Sequence, residues 1–144
     1  MSLRDRCVDK IGAGQNRRVY LHPDDPGLVV KIAKNPETHT WRGPKEQGRP
    51  YRKQSDFANS MEWRIWERVR GTDLEQWFVP CVSLSPDLME LVQRRADEAA
   101  GVPADYPDWL IDSKLANWGV FESRVRRLDY ADRRILVAVD ALLR

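Results

Sequence analysis

The chain has 144 residues, a length that suits one domain of ordinary size. With 42% hydrophobic and 32% charged residues it reads as a folded chain and not a disordered one. A formal net charge of +2 excludes the global positive field of a nucleic-acid binder, and no apolar run nears the roughly 20 residues of a membrane span.

In chain order, residues 1–10 alternate charged and apolar side chains without a signal-peptide core, which predicts a cytoplasmic location (host cytoplasm, were the source viral). Residues 8–11 read as a strand before a glycine turn, Gly12-Ala13-Gly14-Gln15-Asn16, and 17–21 resume an extended pattern. The Pro-, Asp- and Gly-dense segment 22–27 is a turn, and 28–33 is a β-branched strand interrupted by Lys31. Residues 35–55 read as a long polar loop, whose stretch 42–53 carries Arg42, Lys45, Arg49, Arg52 and Lys53 against Glu46 alone. A solvated basic loop and a docking place for a protein partner or substrate are the two readings of it.

Apolar Ala58, Met61, Ile65 and Val69 recur at helical spacing within 56–70, and Gly71 follows as a stop. Strands are expected at 77–83 and 88–92, a short helix at 93–100, and irregular chain over 104–115. A hairpin turning at Glu122-Ser123 joins 120–121 to 125–128. Residues 132–143 put Ile135, Leu136, Val139, Leu142 and Leu143 on a helical stripe, although 135–139 alone also suit a strand. Cys7 and Cys81 lack a CxxC pairing and read as reduced thiols, while His22 and His39 have no second ligand at metal spacing.

Several residues carry candidate chemistry. Gly12 and Gly14 lie between strands, which argues against a dinucleotide fingerprint; a bare turn there either closes a hairpin or covers phosphates with its N–H groups. Lys31 in mid-strand either faces solvent or needs an anionic partner, for which Glu62 is the first candidate and Glu67 the second. Asp112, Lys114 and Asn117 share one loop, and Asp129-Tyr130-Ala131 follows the hairpin. Phosphoryl transfer asks for such a set: a carboxylate to take a hydroxyl proton, oxygen ligands for magnesium, and cations against phosphate charge.

Taken together, Gly12-x-Gly14-x-x-Arg17-x-Val19, Val29-Val30-Lys31, helical Glu62, Asp112-x-Lys114-x-x-Asn117 and Asp129-Tyr130-Ala131 resemble the protein-kinase-like superfamily. The likeness spans about residues 8–131 and is greatest to the small kinase-like proteins of phages and bacteria. It implies an α+β fold: a kinase-like N-lobe of antiparallel sheet and one main helix over 1–93, then a reduced C-terminal part over 94–144 carrying the catalytic and magnesium loops. It also implies ATP and Mg2+ as cofactors. Gly12 and Gly14 would cover the phosphates, Val19 would pack on the adenine, and Lys31, paired to Glu62, would bind the α and β phosphates. Met89 to Gln93, Met89 and Val92 among them, would flank the base. Asp112 would be the catalytic base, Lys114 a γ-phosphate contact, and Asn117 and Asp129 the magnesium ligands.

The chain departs from that pattern at Arg17, which replaces a third glycine and is expected to stiffen the turn. It also departs at Leu110-Ile111 before the catalytic aspartate, and at Ala131 in place of a glycine. Roughly 13 residues follow Ala131, so the helical substrate-binding half is expected to be missing. The implied function is a kinase-like phosphotransferase acting on protein Ser/Thr, a small molecule or itself, with a homodimer as one way to complete the site. The alternatives are a catalytically silent, nucleotide-binding module acting through a protein partner, and a plain interaction domain.

Overall fold

Alternating side chains and tight turns bring the first third of the chain into a meander. In a computed structural model, which describes residues 1–14, 16–34 and 58–144, the strands are β1 (Lys10–Ala13), β2 (Arg17–Leu21) and β3 (Leu28–Ala33). The loop expected at 35–55, with its basic stretch 42–53, lies outside the described residues. Next come α1 (Ala58–Val69), β4 (Cys81–Leu84) and β5 (Glu90–Arg94), and the five strands form one antiparallel sheet in the order β1-β2-β3-β5-β4. A second sheet, β6-β7-β8, is built from β6 (Asp97–Glu98), β7 (Trp118–Phe121) and β8 (Arg124–Arg127), and α2 (Arg133–Leu142) follows. The fold is α+β, and none of its helices among the described residues is long and apolar enough to cross a membrane.

The core lies between the large sheet, the two helices and the small sheet. α1 buries Met61, Ile65, Trp66 and Val69, and α2 buries Ile135, Leu136 and Val139, so both apolar stripes are spent on this core. Phe78 and Tyr130 meet edge to face at its centre, with ring centroids 4.8 Å apart. Gly71, at φ +78, ends α1 in the left-handed region, as a C-terminal glycine does. Asp132 caps α2 by accepting from the Arg134 N–H at 2.8 Å, which settles the tail as helix. Glu122 and Ser123 both take positive φ, 49 and 63, the backbone of a two-residue hairpin turn whose twist matches β7 and β8.

Four local expectations need correction. The strand expected at 8–11 starts at Lys10, with Val8 80% exposed, and Gly12 and Ala13 belong to β1 instead of the turn. Gly12 pairs with Val19, which shortens the turn to the residues after Ala13. The helix expected at 93–100 does not form. Gln93 and Arg94 continue β5 against Val29 and Leu28, and Asp97 and Glu98 pair with Val120 and Gly119, so sheet pairing overrides a helix-prone composition. The strand expected at 77–83 is delayed to Cys81, because Thr72 caps a 3-10 turn over Asp73–Trp77 and Pro80 has no N–H to give a ladder. The strand expected at 88–92 starts at Glu90, since Leu88, at φ +66, belongs to the preceding turn.

Candidate functional site

Strand register assembles the site. Gly12 pairs with Val19, Val19 with Lys31, and Lys31 with Leu91, so one row of side chains crosses β1, β2, β3 and β5 on a single face. Arg17, two residues before Val19, shares that face. α1 lies against it and presents Asn59 and Glu62, one turn apart and both fully buried. The polar pair continues the buried side of a helix whose other buried positions, Ser60 apart, are apolar.

Glu62 is the hub. Its Oε2 accepts from Lys31 Nζ at 2.6 Å and Arg17 Nη1 at 2.9 Å, and its Oε1 accepts from the Tyr130 N–H at 2.7 Å and Arg17 Nη2 at 3.4 Å. A buried carboxylate is tolerated here because four hydrogen bonds saturate it and three of them come from charged groups, the Lys31 ammonium and the Arg17 guanidinium. Of the two partners open to Lys31 in the sequence, the structure selects Glu62; Glu67 is exposed. Lys31 also donates to the Leu128 carbonyl at 2.8 Å, and Gln93 reaches the same oxygen at 3.1 Å.

Arg17 is not a turn residue. It opens β2, only 6% exposed, and its guanidinium spans Asn59 Oδ1 at 3.3 Å, both Glu62 oxygens, and Asp129 Oδ1 at 2.6 Å. Burial opposes its charge, but Glu62 and then Asp129 outweigh that and raise its pKa above the ordinary arginine value. Burial likewise works against an ionised Asp129. Arg17, followed by Lys31 and Arg127, outweighs it and holds that carboxyl down at about 2. The Asp129 side chain nevertheless keeps 51% of its surface open to solvent.

A run of hydrogen bonds links this cluster to the catalytic-loop candidates. The Asn117 carbonyl accepts from the Leu128 N–H at 2.7 Å and the Asp129 N–H at 3.3 Å, and Asn117 Nδ2 donates to the Asp112 carbonyl at 2.7 Å. Asp112 is exposed and left-handed at φ +53, a conformation aspartate tolerates better than most side chains. Lys114 is exposed at the start of the 3-10 turn Leu115–Asn117. Beneath the loop, buried Arg127 donates to the Ile111 carbonyl at 2.8 Å and the Asp129 carbonyl at 3.2 Å, with its guanidinium over the Trp118 ring. Burial lowers its pKa from the ordinary arginine value, Asp129 and Asp112 acting against that.

Lys31, Glu62 and Asp129 thus form one contiguous cluster with Arg17, and Asn117 and Asp112 join it through backbone contacts. Gly12, Gly14 and Val19 belong to the hairpin beside Lys31. The base-contact candidates are placed less favourably. Val92 pairs with Val30 on the opposite face of the sheet, and Met89 precedes β5, where its carbonyl accepts from the Ala33 N–H at 3.0 Å near α1. Asn59 and Arg127 are site residues that motif reading passed over, Gln93 was expected only among the base contacts, and Arg17 only as a departure from the glycine pattern. Arg17 alone carried a further signal, its even spacing from Val19.

The magnesium ligands implied by the resemblance do not fit a divalent ion as they stand. A guanidinium already sits on Asp129 Oδ1, Asn117 has only its side-chain oxygen to offer because its amide nitrogen donates to the Asp112 carbonyl, and no group of three or more His, Cys, Asp or Glu suited to a metal occurs among the described residues. The chain matches no protein-family model, and no curated protein matches it.

Proposed function

We propose that this chain is a reduced protein-kinase-like domain that binds ATP on the Lys31 face of the five-stranded sheet and transfers its γ-phosphoryl group. The observation that carries the reading is the 2.6 Å ion pair between Lys31 on β3 and Glu62 on α1, beside the hairpin that bears Gly12, Gly14 and Val19. Neither glycine has a positive φ, and among the described residues nothing lies closer than 4.0 Å to a Cβ placed at either one. The fold itself therefore does not demand glycine there, and bare backbone facing a ligand is a reason for it.

In this reading Lys31 balances phosphate charge, while Glu62 fixes the direction of the ammonium. Exposed Asp112 is free to take the proton of an acceptor hydroxyl. The acceptor oxygen bonds to the γ phosphorus as the bond to the bridging oxygen breaks, and ADP leaves. Lys114, exposed in the same loop, offsets charge on the transferring group. The acceptor is a protein Ser/Thr hydroxyl, a small molecule or the chain itself.

One observation favours a second reading, a nucleotide-binding but catalytically silent module working through a protein partner. Asp129 is held by Arg17 instead of being open to a metal ion. Thermal melting with millimolar ATP separates the outcomes, since a ligand that binds only the folded state raises the melting temperature. Absence of any shift contradicts both readings. A shift with transfer from γ-labelled ATP that is lost in Asp112→Ala supports the first, and a shift without transfer supports the second.

A further inference from the structure

We propose that Arg17 is the resident cation of this site and excludes divalent ions from Asp129. The inference deepens the proposed reading, since magnesium is the ion that reading would bring here, but its test needs no nucleotide.

Three observations carry it. First, the charges close on themselves: Lys31 and Arg17 face Glu62 and Asp129, each cation within 2.6 or 2.9 Å of a carboxylate oxygen. Such a set needs no added ion to be neutral. Second, Arg17 is anchored at both ends. Its backbone pairs with Ala33 across β2 and β3, and its carbonyl accepts from the Gly14 N–H at 2.8 Å. Its guanidinium is held by Asn59 and Glu62 as well as by Asp129, so releasing Asp129 alone would leave Arg17 where it is. Third, the guanidinium is withdrawn from water while its partner is not: the side chain of Arg17 is 8% exposed, that of Glu62 is fully buried, and that of Asp129 is 51% exposed. A divalent ion on Asp129 would sit beside that fixed guanidinium and be repelled by it, water on the open side of Asp129 weakening the repulsion without removing it.

Asn117 is fixed by its other groups: its amide nitrogen donates to the Asp112 carbonyl at 2.7 Å, and its backbone carbonyl accepts from the N–H groups of Leu128 and Asp129, so only its side-chain oxygen could draw an ion. Any metal that accompanies a nucleotide onto the Lys31 face is then carried by the phosphates and not by Asp129.

The test titrates Mn2+ alone into the full chain, with free ion followed by electron paramagnetic resonance and heat by calorimetry. Wild type and Asp129→Asn should bind Mn2+ identically, through scattered surface carboxylates. Arg17→Gln, which keeps a hydrogen-bonding side chain but removes the charge, should gain a site at least about tenfold tighter. That gain should disappear in Arg17→Gln/Asp129→Asn. Should Arg17→Gln fail to fold, Arg17→Lys replaces it, because one ammonium on a shorter stem cannot span Glu62 and Asp129 together. The proposal is overturned if Asp129→Asn weakens Mn2+ binding by the wild-type chain. It is equally overturned if a folded Arg17 variant gains no site that depends on Asp129. Either failure leaves the ATP-induced melting shift untouched, and loss of that shift leaves the Mn2+ comparison intact, so the two readings fail separately.

Discussion

Arg17 and Asp129 lie 112 positions apart and meet at 2.6 Å, so the first hairpin and the segment after β8 are joined by one ion pair through the middle of the site. Glu62 sits between them and organises both. Replacing it removes the only carboxylate that touches Lys31 among the described contacts and one of the two that hold Arg17. Glu62→Ala should therefore lower stability to urea unfolding by about 3–5 kcal/mol, because two buried cations lose their shared partner. A loss below about 1 kcal/mol, the size of an exposed pair, would contradict the assignment.

The same geometry sets a pH dependence. The Asp129 carboxyl is held at about 2, below the ordinary 3.8. A depressed carboxylate adds stability that is complete above its unfolded pKa and lost as pH falls toward its folded one. Wild type should exceed Asp129→Asn by a constant margin from pH 5 to 7, and the margin should close between about pH 4 and 2. With half of the side chain open to solvent, about 1 kcal/mol is the expected size. Urea titrations at pH 7, 5 and 3 give the comparison, and a margin that grows on acidification would reverse the sign.

Cys81 offers a chemical readout of the core. Burial, then the Glu62 charge, pushes its thiol up to about 12, and its sulfur lies 3.2 Å from the Tyr130 hydroxyl. At pH 8 a disulfide reagent should modify half-buried Cys7 in the native protein and reach Cys81 only as the chain unfolds. Two equally fast thiols in the folded state would show that the Cys81 pocket is open.

Gly119 tests the second sheet. A Cβ there would lie 2.8 Å from Ala96 Cβ and 3.2 Å from the Asp97 carbonyl, where β6 crosses β7. Gly119→Ala should cost about 1–3 kcal/mol through overpacking. An unchanged urea midpoint would mean that β6 does not pack on β7 as described.

Much of this was legible in the sequence where one local signal dominated. β2 and β3 have the bounds that their apolar runs implied, and the hairpin turns at Glu122-Ser123 as read. Lys31 among apolar strand neighbours left two readings open, solvent or an anionic partner, and the buried pair with Glu62 decides between them. The segment 93–100 differs from its expected helix, since its composition is helical and only pairing of Gln93 and Arg94 with Val29 and Leu28, and of Asp97 and Glu98 with Val120 and Gly119, makes it extended. By motif spacing Arg17 stands in place of a third glycine and is expected only to stiffen the turn. Its place on the Lys31 face follows from β2 parity, but its reach to Asp129 depends on how residues far along the chain return to the sheet.

The central claim, a nucleotide site on the Lys31 face, is tested most directly by titrating ATP into 15N-labelled protein and following backbone amide shifts. Saturable shifts are expected at Gly12, Gly14, Val19 and Lys31, with those of Lys31→Met reduced at the same concentrations. Shifts absent there, or confined to residues on the far side of the five-stranded sheet, would contradict it.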